Sequence, residues 1–153
     1  MTTIVYDHKR GQIACDSRLT IGSLIATDTA DKTLETSKGI VFLAGSIGDF
    51  ETLAKLIENN EHGASDPQDG ELECDAMLIM NGSVYNVFMS DDIVNYQRCS
   101  FSNGIGSGRD WALSSLDHGK NAKQAVEYAA TRDIYTGGKV RVYDIKKGKF
   151  ING

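Results

Sequence analysis

A threonine follows the first methionine of this 153-residue chain, in the run Met1-Thr2-Thr3-Ile4-Val5. A threonine hydroxyl is a poor nucleophile at neutral pH and needs a base within hydrogen-bonding reach. An N-terminal residue carries such a base itself, because a free α-amine has a pKa of roughly 7.7–8.0. That amine can take the hydroxyl proton, directly or through a water, and return it to a leaving amine. The chemistry requires Thr2 to be the first residue. Methionine before a small residue is the usual substrate of methionine aminopeptidase, so removal of Met1 is expected. Taken alone, Thr2-Thr3 reads first as β-branched filling of a strand.

The other reactive residue types offer less. His8, His62 and His118 are scattered through turns and loops and are assigned to neither a triad nor a metal. Cys15, Cys74 and Cys99 are odd in number and contain no C-x-x-C pair, so neither a disulfide framework nor a zinc site is indicated. No metal or other cofactor is expected. Cys15 lies in an apolar run and reads as a buried thiol, and a reducing cytoplasm fits best. A net charge of −5 supplies no basic field for nucleic acid or an anionic membrane. No apolar run approaches the roughly 18–20 residues that span a bilayer, and the first residues lack the charged and apolar regions of a signal peptide.

The elements that must position Thr2 read as a single α+β domain over 1–153. Thr2–Tyr6 is β-rich, Lys9-Arg10-Gly11 turns the chain, and Gln12–Leu19 forms the returning strand. Lys32–Thr36 and Ile40–Gly45 make a second pair about the turn Ser37-Lys38-Gly39, and the unbroken apolar run Ile40–Gly45 looks buried on both faces. Asp49 suits a helix N-cap, and Phe50, Leu53, Ala54 and Ile57 repeat with helical spacing, giving a helix over about 49–59. His62–Gly70 holds the only proline and reads as a loop. Asn81-Gly82-Ser83 marks a hairpin between Ala76–Met80 and Val84–Met89. A helix starts near Gly108 and carries Trp111, Ala112 and Leu116. Another opens with Asn121 and Gln124, spaced as a capping box, and presents a small-residue stripe of Ala122, Ala125, Val126 and Ala129. Val140–Ile145 and a short last strand close the chain. Strands and helices in segregated runs argue for helices on antiparallel sheets.

Six short motifs then occur in order: Thr2-Thr3-Ile4-Val5, Cys15-Asp16-Ser17-Arg18, Asp31-Lys32, Ala44-Gly45-Ser46, Gly106-Ser107-Gly108 and Arg132-Asp133-x-Tyr135-Thr136-Gly137-Gly138. Each is weak alone. Together, from residue 2 to about 145, they resemble the proteasome β subunits and the bacterial HslV peptidase, which are N-terminal-nucleophile (Ntn) hydrolases. The resemblance implies a four-layer αββα sandwich of two antiparallel sheets. It also implies a threonine-type peptidase that acts through an acyl-enzyme ester on Thr2.

By that resemblance Lys32 is the buried ammonium beside the hydroxyl, where it stabilises the developing alkoxide and keeps the α-amine neutral. Asp16 is its counter-charge. Gly45 is the oxyanion-hole position, its amide facing the tetrahedral oxygen. Ser107, Asp133 and Thr136 form a hydrogen-bonded shell that orients the amine; Thr136 stands where proteasome subunits usually place serine. The family's S1 lining falls on Leu19, Ala30, Leu34, Leu43 and Ile47, all apolar, which implies cleavage after hydrophobic residues.

The same resemblance implies a homo-oligomeric ring or stacked rings, peptide or unfolded-protein substrates, and access through an ATP-dependent unfoldase. The chain has no P-loop of its own. It departs from the pattern in helix content: only 49–59 reads as helix before the next hairpin, Asn60–Glu73 is polar and loop-like, and no helix follows the last strands. A non-catalytic assembly protein on the same fold, and an Ntn amidase for small amides, are the alternative readings.

Overall fold

The strand pattern of the sequence becomes three antiparallel sheets and three α-helices in a computed structural model that describes residues 1–59, 74–90 and 93–151. The fold class is the α+β expected. The chain divides into two compact units, Met1–Lys32 with Ser100–Gly153 and Thr33–Cys99.

In the first unit, β1 (Thr3–Asp7) pairs with β2 (Gln12–Cys15) on one side and β10 (Asn103–Gly106) on the other. β11 (Arg141–Asp144) and β12 (Lys149–Ile151) extend the sheet beyond β2. Val5, Ala14 and Val142 share one face through their register, and α2 (Arg109–Asp117) and α3 (Ala122–Ala130) pack there. The small-residue stripe does what its side-chain size allows. Ala122, Ala125, Val126 and Ala129 are wholly buried and bring the α3 backbone close to the sheet. The start of α3 is fixed by a complete capping box: Asn121 accepts from the Gln124 amide at 2.9 Å, and Gln124 accepts from the Asn121 amide at 3.0 Å.

In the second unit, β5 (Thr33–Thr36), β6 (Gly39–Gly45), β7 (Cys74–Met80), β8 (Ser83–Ser90) and β9 (Ile93–Arg98) form a meander. The helix α1 (Phe50–Asn59) buries Phe50, Leu53 and Ile57 on Val41, Leu43, Ala76, Leu78 and Val87. Asp49 belongs to a short 3-10 turn, Ile47–Asp49, that runs directly into α1. The Asn81-Gly82 turn has φ of 51° and 76°, the two left-handed residues that a two-residue hairpin requires, with Met80 opposite Ser83.

Three differences from the sequence reading have physical causes. The expected strand Gln12–Leu19 stops at Cys15: the Asp16 amide still donates to the Thr3 carbonyl at 3.2 Å, but the Ser17 amide turns to the Gly137 carbonyl at 3.0 Å and the Asp16 carboxylate accepts the Arg18 amide at 3.3 Å. The chain then makes an additional exposed hairpin, β3 (Leu19–Ile21) with β4 (Leu24–Thr27). β9 and β10 carry no sustained apolar alternation, and β10 contains two glycines, so neither announced itself in the sequence. The expected loop His62–Gly70 and the polar stretch Asn60–Glu73 lie outside the described residues. No helix among the described residues is long and apolar enough to cross a membrane.

Candidate active site around Thr2

Of the eight buried polar residues among those described, five converge at one end of the first sheet: Thr2, Thr3, Asp16, Lys32 and Thr136. The topology explains the convergence. Thr2 stands immediately before β1, the strand flanked by β2 and β10. β2 ends opposite Ile4 and delivers Asp16, while β10 ends opposite Thr3 and delivers Ser107. Asp133 and Thr136 lie in the loop after α3, and Lys32 follows the segment after β4.

Asp16 is the hub, wholly buried and saturated with donors. Its Oδ1 accepts from the Thr2 hydroxyl, from the Lys32 ammonium at 2.7 Å and from the Thr3 amide at 3.2 Å. Its Oδ2 accepts from the Gly137 amide at 2.9 Å and the Arg18 amide at 3.3 Å. Lys32, only 3% exposed, also donates to the Thr2 hydroxyl oxygen. Burial pushes the Lys32 pKa below that of an ordinary lysine, and the neighbouring Asp16 charge opposes that push. An ammonium held against a hydroxyl oxygen stabilises negative charge that develops there.

A second set of bonds lies alongside. Asp133 Oδ2 accepts from Ser107 at 2.6 Å and from Thr136 at 2.7 Å, and Asp133 Oδ1 accepts from the Tyr135 amide at 3.2 Å. The Thr2 carbonyl accepts from the Gly108 amide at 3.4 Å, and it approaches Gly106 so closely that a Cβ on that residue (φ 93°) would overlap it. The amine of Met1 has its pKa lowered, first by burial and then by Lys32, with Asp16 and Asp133 opposing.

The structure thus brings together Thr2, Asp16, Lys32, Ser107, Asp133 and Thr136 of the residues expected from the sequence. Leu19 and Ala30 are half-buried in the same unit. Gly45, Leu34, Leu43 and Ile47 belong to the second unit. There Gly45 closes β6 with φ 118°, Leu43 is wholly buried and Leu34 packs on the same core beneath α1, and Ile47 is exposed.

The sequence assigns no role to Arg18, although Arg18 belongs to the motif Cys15-Asp16-Ser17-Arg18. The Arg18 guanidinium donates to Asp28 at 2.8 and 3.1 Å and to the Ile134 carbonyl at 3.1 Å. A Cβ at Gly137 would overlap it, so any side chain there would have to displace the guanidinium. Arg18 therefore clamps the loop that carries Asp133 and Thr136. A groove of about 360 Å³ borders Asp133 and is lined by Arg18, Thr20, Ile25, Arg132, Ile134 and Tyr135. Cys15, also in this unit, is fully buried, and its thiol is pushed up to about 12, chiefly by burial; it is chemically quiet.

Thr2 thus stands at the head of β1, one strand in from the edge of its sheet, with the buried Lys32–Asp16 pair against its hydroxyl. The solved structure of Thiobacillus denitrificans BPH in complex with epoxomicin superposes with a TM-score of 0.73, covering 93% of this chain and 97% of that one at 18% identity. A second structure of Thiobacillus denitrificans BPH gives a TM-score of 0.70 at 19% identity, covering 93% of this chain and 95% of that one. In sequence the chain is similar to proteasome subunit beta type-8 of Rattus norvegicus, 23% identical over 197 aligned residues, covering 98% of this chain and 67% of the relative. No family model matches. The chain thus resembles proteasome β subunits in sequence and has the proteasome-like Ntn-hydrolase fold.

Proposed function

We propose that this chain is a threonine-type peptidase whose nucleophile is Thr2 after loss of Met1. The observation that carries the reading is the convergence of the buried Lys32 and Asp16 side chains on the Thr2 hydroxyl. With Met1 gone, the Thr2 nitrogen becomes a free amine on the residue that bears the hydroxyl. Thr2 Oγ1 attacks the scissile carbonyl carbon, and its proton passes to the amine. The Lys32 ammonium stabilises the oxygen as it loses the proton. An oxyanion forms, for which the Gly45 amide is the expected donor. The C–N bond then breaks, the leaving amine takes the proton, and an ester remains on Thr2. Water attacks that ester, with the Thr2 amine as base, releasing the acyl product and restoring the hydroxyl.

The substrate class proposed is peptide or unfolded protein cleaved after hydrophobic residues, with Leu19 and Ala30 as the apolar side chains of this unit offered to the substrate. Self-assembly into a ring, and a cytoplasmic ATP-dependent unfoldase as partner, belong to the same proposal; native mass reads the assembly. That the relative with the highest structural similarity above was solved with epoxomicin supports the reading.

A second reading, a non-catalytic protein on this fold, is favoured by one observation: with Met1 in place Thr2 is only 1% exposed. A peptide epoxyketone separates the two, since its ring closure needs a hydroxyl and a free amine on the same residue. A covalent adduct on Thr2 supports the peptidase; a protein that keeps Met1 and takes no adduct refutes it.

A further inference from the structure

Thr3 is polar and yet wholly buried, and its hydroxyl lies 2.6 Å from that of Thr136. The direction of this bond follows from what stands at its far end. The Asp133 carboxylate only accepts, and the Thr136 hydroxyl donates a hydrogen bond to it at 2.7 Å. A hydroxyl has one proton. That of Thr136 is committed to Asp133, so Thr3 donates to Thr136, and the chain of protons runs Thr3 to Thr136 to Asp133. Ser107 donates to the same Asp133 oxygen at 2.6 Å and closes the cluster.

The fold leaves room for this pair and for nothing else. A Cβ at Gly108, the residue before α2, would overlap the Thr3 hydroxyl and come within 2.9 Å of the Thr136 hydroxyl. Having donated one proton and accepted another, Thr136 cannot rotate without breaking both bonds. Thr3 is moreover the residue bonded directly to the nucleophile, so the group that locks Thr136 shares a backbone with the amine to be oriented. Packing alone does not call for the hydroxyl, because valine has the same shape.

We propose that Thr3 is a positioning residue: its hydroxyl, acting through Thr136 and Asp133, holds the acceptors that orient the Thr2 amine. The proposal rests on the peptidase reading above. Lys32, Asp16 and Asp133 are the charged groups whose fields act on the amine of Met1, next to Thr2, and the Thr3 hydroxyl reaches one of them, Asp133, through Thr136. The consequence is therefore visible in the amine's protonation as well as in rate.

The test is the inactivation rate by a peptide epoxyketone, as a function of pH, for the wild type, Thr3→Val and Thr3→Ser, with the unfolding midpoint of each. Thr3→Val is expected to lose about 10–100-fold in rate, the range one lost buried hydrogen bond spans. The pH profile of Thr3→Val should shift as well. Thr3→Ser should stay within about 3-fold of wild type despite its missing methyl, since it keeps the bond. A merely space-filling Thr3 gives the reverse order, with Val active on an unchanged profile and Ser the weaker fold, and that result overturns the proposal. Should Thr3→Val fail to fold, Thr136→Val cuts the same chain one link later; an unchanged pH profile there overturns it equally. A wild type that takes no adduct overturns the peptidase reading and this proposal together. A reactive wild type with an unaffected Thr3→Val overturns this proposal alone.

Discussion

Replacing Asp16 by asparagine removes one charge and leaves its partner stranded. The carboxylate accepts five donors while wholly buried: the Thr2 hydroxyl, the Lys32 ammonium and the amides of Thr3, Arg18 and Gly137. An asparagine presents an NH₂ group to donors on one side or the other, whichever way it is turned. Lys32, 3% exposed, loses its counter-charge. Breaking a buried pair from one side costs about 3–5 kcal/mol. In a chain of this size each kcal/mol moves Tm by about 2–4 °C, so a fall of about 6–20 °C is expected. Adding Lys32→Met removes the stranded cation, and the double variant should recover about 1–3 kcal/mol relative to additivity. Thermal and urea denaturation of the two single variants and the double variant at pH 7 measure this cycle. An Asp16→Asn variant within about 1 kcal/mol of wild type, or an additive double variant, would refute the claim that Asp16 and Lys32 are a coupled buried pair.

Asn121→Ala removes the bond that the Gln124 amide gives to the Asn121 side chain, leaves the Asn121 amide bonded to Gln124, and should lower stability by about 1 kcal/mol, read from the urea midpoint at unchanged slope. In protein that retains Met1, the terminal amine should titrate below its ordinary value of 8.0, because burial and Lys32 both disfavour the ammonium. A lowered folded pKa means that the associated stability is present above pH 8.0 and is lost as pH falls through the folded value. The pH dependence of Nα-acylation, compared between native and denatured protein by mass, checks this.

What could be read in the sequence was what local chemistry dictates. The capping box of Asn121 and Gln124, the Asn81-Gly82 hairpin and the alanine stripe of α3 each carry their own geometry, and each formed as expected. The Thr2, Asp16, Lys32, Ser107, Asp133 and Thr136 set was legible only as ordered motifs, since no spacing along the chain reveals that β2 and β10 flank β1. Arg18 and Thr3 stayed hidden for a different reason. Both sat inside quoted motifs, yet their roles depend on partners more than 100 residues away, Ile134 for Arg18 and Thr136 for Thr3. Glycines at 108 and 137 looked like turn residues; their use is to make room for a hydroxyl pair and a guanidinium. The end of β2 at Cys15 was invisible because the Ser17 amide turns to the Gly137 carbonyl and the Asp16 carboxylate accepts the Arg18 amide, with no glycine or proline to mark the break.

The most direct test of the central claim is the intact mass of the native protein before and after a peptide epoxyketone, alongside Thr2→Ala. Loss of Met1, one covalent adduct mapping to Thr2, and no adduct in Thr2→Ala are the results expected of an N-terminal threonine nucleophile. A protein that keeps Met1 and gains no mass, or an adduct that survives Thr2→Ala, would contradict it.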